Sequence, residues 1–177
     1  SRTVLADDAA GWTITVYTAT ASDSSGSRTR WTCYERPELG LDVGAAVLGP
    51  AIPAKAARFA EQMMESLAGR FLGRLIMGID EAGEDLQRLQ HVPEVDPSEG
   101  TLFATPEARH ALDPILGHEA FGPARQGRGE MEQPIVSRSR GGFRIRFRRA
   151  LNEPRDLEAL AAFGEALAET LRRSERG

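Results

Sequence analysis

Residues 143–148 alternate strictly between apolar and cationic side chains, and this pattern constrains the fold more than any other part of the sequence. Large apolar side chains occupy every second position: Phe143, Ile145 and Phe147. Arginines occupy the positions between them: Arg144, Arg146 and Arg148. Successive side chains of a β-strand point to opposite faces of a sheet. The pattern therefore predicts a strand with one buried and one cationic face. A turn at Gly141-Gly142 joins it to the preceding Ile135-Val136 segment in a hairpin.

Four further segments are typical of strands. Residues 12–18 and 28–34 are rich in β-branched and aromatic side chains, and the polar tract 21–27 between them predicts a loop, so the two form a second hairpin. Residues 39–43, after Pro37, predict a third short strand. Thr101–Ala104 predicts a short buried one.

Proline and capping residues mark the predicted helices. One helix begins at Pro53 and carries an apolar stripe between residues 56 and 71. Residues 75–79, which follow it, are compatible with either strand or helix. The final helix begins at Pro154, and its apolar stripe consists of Leu157, Leu160, Ala161, Gly164, Leu167, Ala168 and Leu171.

A further helix is predicted to be broken in two. Thr105-Pro106-Glu107 has the residues of a helix start, and Asp113-Pro114 repeats the pattern only a few residues later. Gly122-Pro123 is expected to end this helix.

The order of these elements predicts an α+β fold, with an antiparallel sheet built from hairpins and helices packed on one face. Regular β-α-β alternation is missing, which argues against a Rossmann-type or barrel fold. At 177 residues, the chain is expected to form one domain over 1–177. The start at Ser1 lacks a methionine, so a longer chain upstream is compatible with the sequence.

Charge and composition exclude some classes of function. The formal net charge is −4, which argues against nucleic acid as a partner. Lys55 is the single lysine, and this bias toward arginine is typical of a GC-rich bacterial genome. The sequence contains no run of 18 apolar residues, so it predicts no membrane span. The chain is expected in the cytoplasm, although a targeting or anchor segment upstream of Ser1 would be invisible. Cys33 is the only cysteine, and it is interpreted as a small buried residue in a strand.

The arginines of the hairpin that turns at Gly141-Gly142 are the leading candidates for a binding site. Guanidinium groups can grip carboxylates or phosphates through paired hydrogen bonds, so the hairpin is expected to bind an acidic partner or an anion. The residues proposed for this contact are Arg144, Arg146, Arg148, Arg138 and Arg140. The alternative interpretation is a solvated sheet face whose arginines pair with nearby glutamates.

Acidic residues and histidines form the weaker candidates. The acids are Asp80, Glu81, Glu84, Asp85, Glu94 and Asp96. Their spacing does not match a calcium loop, and they are interpreted as solvated surface. His91, His110 and His118 are scattered, without the spacing of a zinc motif. We therefore expect no metal, no cofactor and no catalytic residue.

The leading hypothesis is a non-enzymatic interaction or regulatory domain of a bacterial protein. One alternative is a site for an anionic small molecule, with or without enzymatic activity, in a cleft between sheet and helices. Another is a self-assembling or chaperone-like homodimer. Residues 101–116, with the hairpin and terminal helix that follow, resemble soluble domains of membrane-tethered bacterial proteins. The outline is also similar to small acidic α+β secretion chaperones, which implies a dimer that binds partner segments.

Overall fold

The computed structural model describes residues 2–20, 28–51, 84–126 and 132–177. Its strands are β1 (Arg2–Asp7), β2 (Trp12–Thr20), β3 (Arg28–Arg36), β4 (Ala46–Gly49), β5 (Gln90–His91), β6 (Thr101–Ala104), β7 (Ile135–Ser139) and β8 (Gly142–Phe147). Its α-helices are α1 (Glu84–Gln87), α2 (Phe121–Arg125) and α3 (Pro154–Arg176).

These eight strands form one sheet in the order β1-β2-β3-β8-β7-β4-β6-β5. Every neighbouring pair is antiparallel. The two predicted hairpins, β2–β3 and β7–β8, lie side by side, because β3 pairs with β8. The predicted α+β class, with an antiparallel sheet built from hairpins, is confirmed.

The alternation along β8 is confirmed as well. Phe143, Ile145 and Phe147 are buried and belong to the main apolar core on one face of the sheet. Across the sheet, Ile145 lies between Tyr34 of β3 and Val136 of β7, both fully buried. The predicted pattern therefore identifies the central strand of the core.

Helix α3 covers this face of the sheet. It begins at Pro154, as predicted, and its buried residues are Leu160, Phe163, Gly164, Leu167, Ala168 and Leu171. Gly164 allows the helix to lie directly on the Tyr34 ring, because a Cβ at this position would come within 2.4 Å of the ring. Phe163, which the predicted stripe lacks, meets Phe121 of α2 edge to face at 5.3 Å between ring centroids.

The opposite face of the sheet carries a smaller apolar cluster. Trp31, Val47, Phe103 and Ile135 are buried there, on four different strands. Their registers place them on the same face as Arg144 and Arg146, since Ile135 is paired directly with Arg146. The cationic face of β8 is therefore partly apolar.

The prediction of a strand at residues 39–43 is wrong. Residues Pro37–Leu39 form a 3-10 turn, and the strand that follows is β4 at Ala46–Gly49. Proline starts the turn because its fixed φ suits a helical first position. The backbone at Gly40 then passes so close to the hairpin that a Cβ would lie 2.9 Å from the Arg140 carbonyl oxygen.

The broken helix is present only as short turns. Pro106–Ala108 and Asp113–Ile115 are 3-10 turns. The Thr105 hydroxyl does not cap the first turn but accepts a hydrogen bond from the Ala45 amide at 3.1 Å. Gly122-Pro123 lies inside α2 and does not end a helix.

Several predictions fall outside the described residues. These are the helix from Pro53, the stretch 75–79, the acids Asp80 and Glu81, and the loop 21–27. Within the part of the chain that is described, no helix has the length and apolar character needed to cross a bilayer.

Candidate functional site

The predicted arginine site divides between two faces of the sheet. Arg144 and Arg146 share one face of β8, whereas Arg138 on β7 pairs with Phe143 and points to the α3 side. Arg140 lies in the turn between the two strands, and Arg148 follows β8 and is half-buried. The five residues therefore do not form one continuous surface.

Arg144 is held by a carboxylate on the neighbouring strand. It lies directly opposite Glu35 of β3, and its Nε donates to Glu35 Oε1 at 2.6 Å. Both side chains are largely shielded from solvent. This cross-strand ion pair is the alternative that the sequence left open for the hairpin arginines.

Arg146 is buried, so the prediction that only the opposite face of this strand is buried is wrong at this position. The residue retains 6% of its exposure. The register explains this, because Arg146 lies between Cys33 on β3 and Ile135 on β7, which are both buried. Burial raises the pKa of the Cys33 thiol to about 11, and the nearby Arg146 only partly opposes this shift. A thiol in this state is a poor nucleophile at neutral pH.

Arg138 is also buried and joins three separate parts of the fold. Its Nε donates to the Leu39 carbonyl at 2.7 Å and its Nη1 to the Ala111 carbonyl at 3.3 Å. Its Nη2 contacts the carboxylate of Glu175 at the end of α3. A guanidinium carries five donors in a fixed plane, which suits this role. The contacts of Arg138 therefore stabilise the fold.

Arg140 is the most accessible of the five predicted residues. Its side chain is 64% exposed, and its Nε lies 3.9 Å from the Asp85 carboxylate. The other four arginines are half-buried or buried. The described structure therefore leaves one well-exposed cation in the predicted site.

Sequence reasoning missed a polar cluster between β3 and α3. Glu165 of α3 accepts hydrogen bonds from the Tyr34 hydroxyl and from Arg36. Arg36 Nε also donates to Glu38 Oε1 at 2.7 Å, and Glu38 accepts from Arg172 at 3.1 Å. Burial raises the pKa of the Tyr34 hydroxyl most, and the hydrogen bond to Glu165 raises it further. Residues 129 positions apart meet here, and no local sequence pattern signals such a contact.

Most described members of the acidic and histidine sets have partners within the fold. Asp96 accepts hydrogen bonds from the Ser98 hydroxyl and amide, which lower its pKa. Glu94 pairs with Arg109, and His110 Nδ1 lies 2.7 Å from Asp113. Across the described ranges, no group of three histidine, cysteine, aspartate or glutamate residues could hold a metal ion.

A cavity of about 140 Å³ lies between α2 and the start of α3. Its walls are mainly apolar, with Phe147, Leu160 and Phe163 among them, and Asp156 is the charged residue in its lining. None of the predicted arginines or of the acids near Asp96 lines it. This cavity therefore lacks the charge set that the small-molecule hypothesis requires.

Strand β1 differs from the other seven described strands. It lies at one end of the strand order, pairs with β2 on one side, and is exposed from Arg2 to Ala6. Val4 and Leu5 are 52% and 47% exposed, although both are large apolar residues. An edge strand presents a row of backbone donors and acceptors that a further strand can use.

Comparisons with known protein families, with curated proteins and with solved structures found no significant match for the chain.

Proposed function

We propose that the chain is a non-enzymatic interaction domain whose partner adds a strand to the sheet at β1. The observation that supports this proposal best is the half-exposed pair Val4 and Leu5 on an edge strand. Backbone hydrogen bonds along the edge would provide affinity, and pockets for alternate side chains would provide specificity.

The length and composition of β1 favour pairing with another strand, because β1 lacks most of the features that prevent such pairing. Native proteins usually protect an exposed edge with lysine, proline, a bulge or a very short strand. Strand β1 has six residues and no lysine or proline. The opposite edge, β5, has two residues. A six-residue edge with apolar side chains on both faces is suited to a protein segment. The proposal includes a cytoplasmic location, where a lone thiol such as that of Cys33 stays reduced.

The test uses a photoreactive benzophenone amino acid at Val4, in cells that produce the chain. We expect a crosslinked adduct of discrete mass, because a partner strand would lie against this side chain. The matched control places the same group at Arg155, whose side chain is 88% exposed on α3. No adduct at position 4, or equal adducts at both positions, would contradict the proposal.

A second candidate keeps the predicted preference for an acidic partner or anion. Arg140 supports it, because its exposed guanidinium projects from the β7–β8 turn. The reduced site would centre on Arg140 alone, because Arg148 follows the far end of β8. Titration with an acidic peptide such as oligoglutamate, followed by NMR, should shift the amides of residues 139–142. The shifts should vanish in Arg140→Glu and persist in Arg155→Glu.

A further inference from the structure

We infer that the partner of β1 is a second copy of this chain, paired antiparallel to β1 across a two-fold axis at Leu5. This inference rests on the proposed function, because it names the partner of the same edge. The two eight-stranded sheets would join into one continuous sheet. Such an interface is isologous: each copy presents the same strand to the other.

The charges of β1 and its turn favour this arrangement. With Leu5 at the axis, antiparallel pairing sets Arg2 of one copy opposite Asp8 of the other. Both residues are exposed, and the axis repeats the pair, so the dimer gains two ion pairs. Parallel pairing in register would instead set Arg2 against Arg2 and Asp7 against Asp7, which is destabilising.

The apolar residues fit the same register. Leu5 would meet its own copy on the α3 side of the sheet, because Leu5 lies in line with Ile14 and Tyr34. Val4 would lie opposite Ala6 of the second copy on the other face. Pairing would thus cover both exposed apolar side chains of the strand. A foreign segment would need apolar residues at the same two positions to cover both side chains.

One strand pair buries less surface than a standard stable interface, so the dimer is expected to be weak and dependent on concentration. Sedimentation velocity over a wide concentration range measures this directly. We expect a monomer–dimer equilibrium for the chain. Leu5→Lys should yield monomer at every concentration, because it sets two ammonium groups against each other at the axis.

Charge reversal tests the register. Arg2→Asp should weaken dimerisation roughly tenfold, because it faces Asp8 with a like charge at two symmetric positions. The double variant Arg2→Asp/Asp8→Arg restores opposite charges and should recover dimerisation. Arg155→Asp makes the same change in charge on α3 and should leave the equilibrium unchanged. Recovery in the double variant would exclude a general effect of charge or of damage to the strand.

The outcomes separate this inference from the proposed function. A chain that stays monomeric at all concentrations overturns the homodimer. A crosslink from Val4 to a different protein would then still support binding at β1. A dimer that persists in Leu5→Lys places the contact elsewhere and also overturns the inference. A dimer lost in Leu5→Lys but unaffected by Arg2→Asp overturns the proposed register.

Discussion

The centre of the sheet and its β1 edge use the same kinds of residue for different purposes. At the centre, Tyr34, Ile145 and Val136 are fully buried beneath α3. At the edge, Val4 and Leu5 keep about half of their exposure, although they are as apolar as the central residues. An apolar residue stabilises the monomer only when folding removes it from water. Stability therefore resides mainly in the centre, and the edge can change without loss of the fold.

The charged residues follow the same division. Arg36 and Arg138 at the centre contact α3 through Glu165 and Glu175, and each spans more than one element. Arg2 and Asp8 at the edge are exposed. Removal of a buried, hydrogen-bonded arginine leaves acceptors without a donor, whereas a change at an exposed charge costs little. Substitutions should therefore separate the two regions by their effect on unfolding.

The largest effect is expected at Gly164. Alanine is the better helix former, yet its Cβ would lie 2.4 Å from Cζ of the Tyr34 ring. That ring is buried and its hydroxyl is bound to Glu165, so it cannot move away cheaply. Overpacking of this kind should reduce the free energy of unfolding by about 3 kcal/mol. Urea denaturation of Gly164→Ala measures it.

Gly122→Ala provides the matched control. Gly122 is also helical, in α2, but a Cβ added there would meet no atom within 4 Å beyond its chain neighbours and the backbone of its own helix. Alanine there gains backbone entropy but meets the restriction that Pro123 places on a helical residue before it, so the net change should stay within about 1 kcal/mol. Equal effects at the two glycines would show that α3 does not press on Tyr34.

The next effect depends on pH and concerns Cys33. Burial raises the pKa of this thiol to about 11, from an ordinary value of 9.0. Between these pH values the unfolded chain loses the proton first, so the stability falls as the pH rises. Two pKa units correspond to between about 2 and 3 kcal/mol. From pH 8 to 11, the free energy of unfolding of the wild type should therefore fall by that amount relative to that of Cys33→Ala. A difference between the two proteins that stays constant with pH would contradict the burial of the thiol.

The position of Cys33 in a strand illustrates what local sequence pattern can predict. Its place in a strand, like the alternation along β8, follows from the period of side chains within one segment. Strand β1 had no such signal, because Thr3 to Ala6 do not alternate in a way that marks one buried face. Only its exposure in the folded sheet distinguishes it.

The arginines show where local reasoning ends. The pattern at residues 143–148 correctly separates the two faces of β8. It could not predict that Arg146 lies between two buried neighbours, because those neighbours belong to β3 and β7. It also could not predict Arg138 bound to the Leu39 carbonyl, 99 residues away in sequence. Long-range register decides whether a charged face is solvated.

Arg138 should show a smaller effect than Gly164. Arg138→Met keeps much of the apolar length but removes the donors to two backbone carbonyls, Leu39 and Ala111. We expect a loss of about 2 kcal/mol in the free energy of unfolding. Arg140→Met changes the same residue type two positions away, on an exposed side chain, and should cost almost nothing. Similar losses at both positions would remove the distinction between buried and exposed arginines in this hairpin.

The smallest effect is expected at the edge itself. Leu5→Ser removes a large apolar side chain from β1, yet water already reaches about half of that residue in the monomer. At a concentration low enough to exclude association, the free energy of unfolding should change by less than about 0.5 kcal/mol. Ile145→Ser, at a position in line with Leu5 across the sheet, should lower the free energy of unfolding several times more, because the Ile145 side chain is fully buried. A loss of stability at Leu5 as large as that at Ile145 would mean that β1 is part of the stabilising core. Leu5 would then serve the fold of the monomer and would not be available for contact with a partner.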